Sequence, residues 1–459
     1  MLKYTIILVL LFASVSANAE EIEWIEHPID TIYDCAWGVY TIDMDGDKDI
    51  DILSAAHEGH ELTWWENDGN QVFIEHLIFN YYSVHEVHAN DIDSDGDIDV
   101  IGVAYHLNEI SWFENDGEMN FNRYILTQGY IGAHFARSID IDNDGDQDII
   151  TCSKDGGNVT WWKNEGYPYF SRQDVDNNFT GCRQISIYDL DLDGDLDILG
   201  AAQFIDQLAW YENIENQAFQ KRTIIGNYDA FWIEPNDFDF DGDIDVLACA
   251  AEDYDISWWE NDGYMNFVRH IVDNYVDYPQ SVNAADFDMD GDLDIVCAIR
   301  CSDEIVWWDN DDNIAYDRYE VRPNYYYAVT VLPYDIDCDG DIDLVGSASI
   351  GDRLSWWENC TNTTPVSDNE PPDNFDLESI YPNPFNSSVT IRYNLERPAD
   401  VSISVYNMAG QMVESIVNGF FNAGRYQLIW NASEKSSGVY LSKIVINNKT
   451  YTEKITLLK

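Results

Sequence analysis

Short apolar and alternating runs recur along this chain in sets of four. One set opens with Val87-His-Ala-Asn90, continues with Val100-Ile-Gly-Val-Ala104 and then Ile110-Ser-Trp-Phe-Glu114. A fourth run begins nine residues after the tryptophan of the third, as in Phe73-Ile-Glu-His-Leu-Ile78. Runs of this length, bounded by turn residues, predict β-strands. An Asn-Asp-Gly signal for a tight turn follows the third run at Asn67, Asn115 and Asn261. The third run often holds two adjacent large apolar residues, such as Trp64-Trp65. Neighbouring residues of a strand point to opposite faces, so both faces of these sheets must be covered.

An aspartate-dense segment separates the first and second runs of each set. It starts at Asp43, Asp91, Asp140, Asp189, Asp237, Asp286 and Asp335, a step of 48 or 49 residues. A tryptophan stands 21 residues after each start: Trp64, Trp112, Trp161, Trp210, Trp258, Trp307 and Trp356. Such a period with four strands per unit marks a β-propeller, one repeat per blade. The seventh repeat lacks a fourth strand, because Pro365 stands where it should begin. Trp24-Ile-Glu-His-Pro-Ile29 matches Phe73-Ile-Glu-His-Leu-Ile78 and lies 19 residues before Asp43. Residues 22–30 are therefore expected to complete the last blade. The expected fold class is all-β: a seven-bladed β-propeller with calcium loops, plus a small C-terminal Ig-like β-sandwich.

In six repeats the acidic segment reads D-x-D-x-D-G-D-x-D. Carboxylates at positions 1, 3 and 5 can converge on one hard cation, and glycine at 6 permits a sharp turn. Position 7 can offer its carbonyl, and the aspartate at 9 closes the site. The candidate metal ligands in the first three repeats are Asp43, Asp45, Asp47, Asp49, Asp51; Asp91, Asp93, Asp95, Asp97, Asp99; and Asp140, Asp142, Asp144, Asp146, Asp148. In the fourth and fifth they are Asp189, Asp191, Asp193, Asp195, Asp197; and Asp237, Asp239, Asp241, Asp243, Asp245. In the sixth and seventh they are Asp286, Asp288, Asp290, Asp292, Asp294; and Asp335, Asp337, Asp339, Asp341, Asp343. The first repeat departs from the pattern, with Lys48 in the glycine's place and Gly46 at position 4. An EF-hand needs glutamate at position 12, where Ser54, Gly102, Thr151, Gly200, Ala248, Cys297 and Gly346 stand instead. The expectation is up to seven structural Ca2+ ions; the alternative is a solvated acidic turn.

Charge sharpens this picture. Acidic residues outnumber basic ones 86 to 23, for a net charge of −63. That argues against nucleic acid or anionic lipid as a partner, since both are held by Lys and Arg. At 14% aromatic and 45% hydrophobic, the chain is not a disordered polyanion. Residues 1–19 read as a secretory signal: Lys3, an apolar stretch from Tyr4 to Ala13, and Ala17-Asn18-Ala19 as cleavage site. No transmembrane span is expected. There are eight cysteines and no CxxC pair. Cys152 and Cys249 share a strand position and read as small buried side chains. Cys35 and Cys360 flank the predicted ring closure and are candidates for a bridge across it.

The Asp loops resemble those of FG-GAP and VCBS repeats, found in integrin α-subunit propellers and in secreted bacterial proteins. The resemblance covers about residues 22–359 and implies calcium loops between the first and second strands of a blade. After Cys360 the composition changes to Thr, Asn and Pro, which suits a linker. Alternating strands then follow: Val389 to Tyr393, Val401 to Tyr406, Tyr426 to Trp430 and Val439 to Ile446. Tyr381-Pro-Asn-Pro-Phe-Asn386, Val405-Tyr-Asn-Met-Ala-Gly-Gln411, Ala423-Gly424, Ser437-Gly-Val-Tyr440 and Leu457-Leu-Lys459 make this segment similar to the C-terminal sorting domain of the type IX secretion system. That resemblance implies the type IX machinery as a partner, and a secreted or outer-membrane-surface location on a bacterium. The domain boundaries expected are 1–19 signal peptide, 20–359 propeller, 360–376 linker and 377–459 sorting domain.

No GxSxG, HExxH or P-loop motif is present. His27, His76 and His270 share one fourth-strand position, which suggests packing. Specificity should lie where the repeats differ, in loops on the face opposite the calcium loops. The ligand-binding candidates there are Trp37, His85, His134, Arg183 and Trp232. A mouth that mixes aromatic and basic groups suits a sugar or a peptide; ordinary solvated loops are the alternative. The leading functional reading is a calcium-stabilised surface propeller that binds extracellular glycan or protein ligands. A second reading is a polysaccharide lyase or hydrolase, since related propellers carry such activity. In it His85, His134 and Arg183 would supply a base and a cation. A purely structural matrix role is a third.

Overall fold

The computed structural model describes residues 22–361, apart from 167, 215–217 and 312–314. It also describes 375–457, apart from 382–384, 386–387, 396–398, 408–411, 422–423, 433–434, 436–437 and 447–448. The signal sequence expected at 1–19 and most of the linker expected at 360–376 lie outside the described residues. The chain forms two units, Met1–Thr363 and Thr364–Lys459.

The first unit consists of seven four-stranded antiparallel sheets. Blade two, for example, runs Val84–Asn90, Asp99–Ala104, Glu109–Asn115 and Phe121–Gln128 from the inside outward. The inner strands of the seven blades are Ala36–Ile42, Val84–Asn90, Ala133–Ile139, Cys182–Tyr188, Ala230–Asn236, Pro279–Ala285 and Ala328–Tyr334. Each inner strand touches the next, and the seventh touches the first. The sheets therefore form a closed ring. In the seventh sheet the outer strand is Trp24–Asp30, with Trp24 paired to Asn359 and His27 to Trp356. The start of the chain thus covers the strand edge that its end would leave open.

The core lies between blades. Trp64 packs with Leu53 against Val87, Val100 and Phe113 of blade two. Its neighbour Trp65 packs with Ile52 against Val345 and Trp356 of blade seven. One Trp-Trp pair thus secures a blade on both faces. Burying a tryptophan removes about 150–250 Å² from water, or roughly 4–6 kcal/mol before entropy is charged against it. A second recurring anchor is a tyrosine just before the inner strand. Tyr130 Oη donates to Thr160 Oγ1 at 3.0 Å, and Tyr325 Oη to the Gly346 carbonyl at 2.8 Å. The outer-strand histidines pack as expected. His27, His76 and His270 stack on Trp356, Trp64 and Trp258 with ring centroids 4.4, 4.5 and 4.3 Å apart.

Cys35 and Cys360 are separate thiols, so the bridge considered from sequence is not formed. Cys35 precedes an inner strand at the end of the ring away from the aspartate loops, whereas Cys360 follows Asn359 at the loop end. Backbone pairing closes the ring instead.

The second unit has two sheets. One holds Phe375–Tyr381, Ser388–Leu395 and Gly424–Asn431; the other holds Met412–Phe421, Ala399–Asn407, Gly438–Ile446 and Lys449–Leu457. Val389, Val405, Trp430 and Ile455 share one apolar cluster, which joins the two sheets.

Candidate functional site

Two ends of the ring carry chemistry. At one end each blade turns from its inner to its second strand through the aspartate segment. Positions 4 and 6 of the turn both take left-handed backbone, as at Asn143 (φ 56°) and Gly145 (φ 97°). This curls the loop over its own first aspartate. Asp140 accepts the N–H of Asp144 at 3.0 Å and that of Gly145 at 2.9 Å. In the first repeat the left-handed pair is Gly46 (φ 78°) and Lys48 (φ 85°).

The aspartate at position 9 is a staple. Asp245 accepts the N–H of Asn261 at 2.7 Å and that of Phe238 at 2.9 Å. Asp51, Asp99, Asp197, Asp294 and Asp343 bridge the equivalent pair of amides. Burial is the main cause that pushes Asp51, Asp99, Asp148, Asp197 and Asp245 up to about 7. At position 7, the carboxylates of Asp49 and Asp97 turn toward Gly69 and Gly117 of the Asn-Asp-Gly turns. A Cβ on either glycine would come within 2.6 Å of them.

Carboxylate oxygens converge within 4.8 Å in every one of the first five loops: Asp43, Asp45, Asp51; Asp91, Asp93, Asp95; Asp140, Asp142, Asp144; Asp189, Asp191, Asp197; Asp237, Asp239, Asp245. Several oxygens of the aspartate loops have nothing to bond. Oδ1 of Asp93, Asp142, Asp237 and Asp286 is buried without a hydrogen-bond partner. An all-oxygen cluster with orphaned, inward-facing acceptors fits a hard divalent cation.

The third loop differs. Lys163 sets its ammonium on Asp142 and on Asp144, 2.9 Å from the latter. The same strand position in the other blades is acidic: Glu66, Glu114, Glu212, Glu260, Asp309 and Glu358.

The other end of the ring is a mouth built by β-bulges. In blade three Ala133 pairs with Ser153 and Phe135 with Cys152, which leaves His134 as the extra residue. The register slips at the same place at His85, Arg183, Phe231, Gln280 and Val329, and at Trp37-Gly38 in blade one. A bulge re-aims its extra side chain. Here the re-aimed residues of all seven blades line one pocket, together with Glu86, Phe135, Trp232 and Thr330. All five ligand candidates read from the sequence line it. His85 and His134 are 4.8 Å apart by ring centroid. His134 Nδ1 lies 2.7 Å from the Arg183 carbonyl. Burial, with neighbouring cations and histidines, drives His85 down to about 3 and His134 well below its ordinary value, so both rings are neutral. The pocket is partly open to solvent, and the centres of water-sized groups have about 30 Å³ in it. That is room for about two water molecules, and no sugar ring enters it.

Sequence reading missed Phe231. Trp37, His85, His134 and Arg183 each stand six residues before the first loop aspartate; that offset selects Phe231, and Trp232 is one residue later.

Residues 43–102, 91–151, 140–200 and 237–297 match the FG-GAP-like repeat family, and residues 379–457 match the secretion system C-terminal sorting domain. The chain carries FG-GAP-like repeats on its propeller and a type IX sorting tail. The tail implies secretion or attachment at the outer-membrane surface. Among the described residues no helix is long and apolar enough to cross a membrane. PorZ, a bacterial surface component of the type-IX secretion system of Porphyromonas gingivalis, is similar at 14% identity and a TM-score of 0.46, over 89% of this chain. The chain spans only 58% of that PorZ structure. A fungal alcohol oxidase in complex with copper is similar at 10% identity and a TM-score of 0.49, over 96% of this chain and 100% of that one. Neither likeness bears on activity. No curated protein matches the chain.

Proposed function

We propose that this is a calcium-stabilised propeller whose recognition surface is the mouth opposite the aspartate loops, and that it binds glycan or protein ligands there. One observation carries the reading: seven bulges turn side chains of six different types into one pocket. A scaffold residue would repeat from blade to blade, as the tryptophans do. The residues at the bulges do not, apart from the histidine at 85 and 134. Calcium is supported by the converging carboxylates and their orphaned oxygens. Bound calcium would be structural, offsetting repulsion within each loop. Blade three already holds a cation of its own, Lys163, on the same oxygens.

A glycan and peptide array on the calcium-loaded protein tests this. Capture should be lost in Trp232→Ala and Phe231→Ala variants that melt like the parent. Capture that survives both substitutions would move the recognition surface elsewhere.

A further inference from the structure

The mouth gathers cations that form no ion pair. In the first unit, ten of the described basic residues form an ion pair with a carboxylate, and Lys48, Lys154, Arg183 and Arg300 do not. Three of those four sit at the mouth or on the loops around it.

The three are held by groups that orient them without neutralising them. The Arg183 Nε donates to Gln203 Oε1 at 2.9 Å, and its guanidinium lies 4.0 Å over the Phe231 ring. Arg300 lies 3.8 Å over Tyr327. Lys154 sits 5.2 Å over Phe204. They are close enough to feel one another. Burial and then Arg183 and Arg300, against the opposing pull of Asp155, bring the Lys154 amine down to about 8. His85 adds a further sign: it is 4% exposed, lines the pocket, and neither ring nitrogen has a hydrogen-bond partner. Like charges clustered unpaired beside an unpartnered donor cost free energy unless an anion joins them.

We propose that the mouth binds the carboxylate of an acidic sugar at the end of a glycan, a step that rests on the mouth being the recognition surface. The 30 Å³ space admits a carboxylate but not the ring that bears it. The ring would stay outside, where Tyr82, Tyr254 and Tyr326 on the loops of this face expose 51, 49 and 55% of their surface. A polyanion is disfavoured, because Asp155, Asp229 and Asp253 lie on the same loops. One terminal charge fits, and a run of them does not.

The test compares oligosaccharides ending in glucuronate with the same chains ending in glucose. It follows tryptophan fluorescence of the calcium-loaded full chain, with Trp37 and Trp232 as reporters at the mouth. The acidic series should bind at least about tenfold tighter, weaken as salt rises, and lose that advantage in Arg183→Gln. Arg300→Gln, at a half-buried turn outside the pocket lining, serves if Arg183→Gln melts early. Equal binding of both series, abolished by Trp232→Ala, would overturn the anionic ligand and leave the mouth intact. Saturable binding that neither Arg183→Gln nor Trp232→Ala disturbs would overturn the mouth as well. Binding of a peptide with a free terminal carboxylate, but of neither sugar series, would overturn the sugar assignment.

Discussion

Lys163 and Asp142 form an ion pair inside the third aspartate loop, where the other six blades place an acidic side chain beside the corresponding aspartate. The ammonium also bonds Asp144 and holds that carboxyl below its ordinary value. A divalent ion at this loop would have to displace it. Calcium counted on the metal-saturated protein should therefore fall one short of the number of loops. Lys163→Glu should restore the missing ion, raise the melting temperature in calcium and lower it in chelator. An unchanged count in Lys163→Glu would show that the lysine does not compete.

The same logic gives a sign reversal at an ordinary loop. Asp239 lies with Asp237 and Asp245 in blade five, and its carboxyl is raised by burial with Asp241 and Glu260 adding to it. With calcium bound, Asp239→Asn should destabilise by about 1–3 kcal/mol, the range for breaking a charge-assisted contact. In excess chelator it should be neutral or stabilising, because one of several crowded charges is gone. Thermal melts of parent and variant, with and without EDTA, read both signs. A loss of equal size in both conditions would make the loop a purely protein-held turn.

Much of this was legible before any coordinates. The 48–49-residue step and the Trp-Trp pairs specify sheets covered on both faces, and Trp64 and Trp65 do pack into different interfaces. The closing strand was visible as a copy of Phe73-Ile-Glu-His-Leu-Ile78 without a blade of its own. The bulges were not visible, since one inserted residue leaves no compositional trace; the six-residue offset that selects Phe231 over Trp232 gains its meaning only from them. The double duty of the ninth aspartate was hidden for a related reason. Its oxygens bond backbone amides, and any residue supplies those. In the tail, Met412–Phe421 and Lys449–Leu457 escaped notice because polar residues interrupt their alternation.

Lys48 carries at position 6 a left-handed strain that the other loops place at position 4, where the first loop has Gly46. Its φ is 85°, at the position where six blades place glycine with φ from 97° to 103°. A left-handed conformation costs a residue with a side chain about 1–2 kcal/mol, partly offset by the greater freedom of glycine in the unfolded chain. Lys48→Gly should stabilise the protein by up to about 1 kcal/mol. Chemical denaturation in calcium checks it, and a destabilised variant would mean that the lysine side chain makes a contact worth more than the strain.

The inner strands between the two ends set a pH dependence. Glu86 accepts a bond from Arg137 at 3.0 Å, and Glu234 also faces Arg137. One guanidinium serves two carboxylates, and burial leads in raising both to about 7. His88 is near the same Arg137 and is held neutral, so it adds no compensating charge. The folded protein thus keeps protons on these glutamates that the unfolded chain releases near its ordinary value of about 4.5. Stability contributed by the pair is full below about 4.5 and falls as pH rises toward 7. Glu234→Gln removes one share of that loss. It should raise the melting temperature at pH 8, by the equivalent of about 1–3 kcal/mol, and change it little at pH 5. Melts of the calcium-loaded parent and variant at the two pH values decide the matter. A gain of equal size at both would place the benefit in packing, and a loss at pH 8 would mean that Glu234 is ionised and bound to Arg137 in the folded protein.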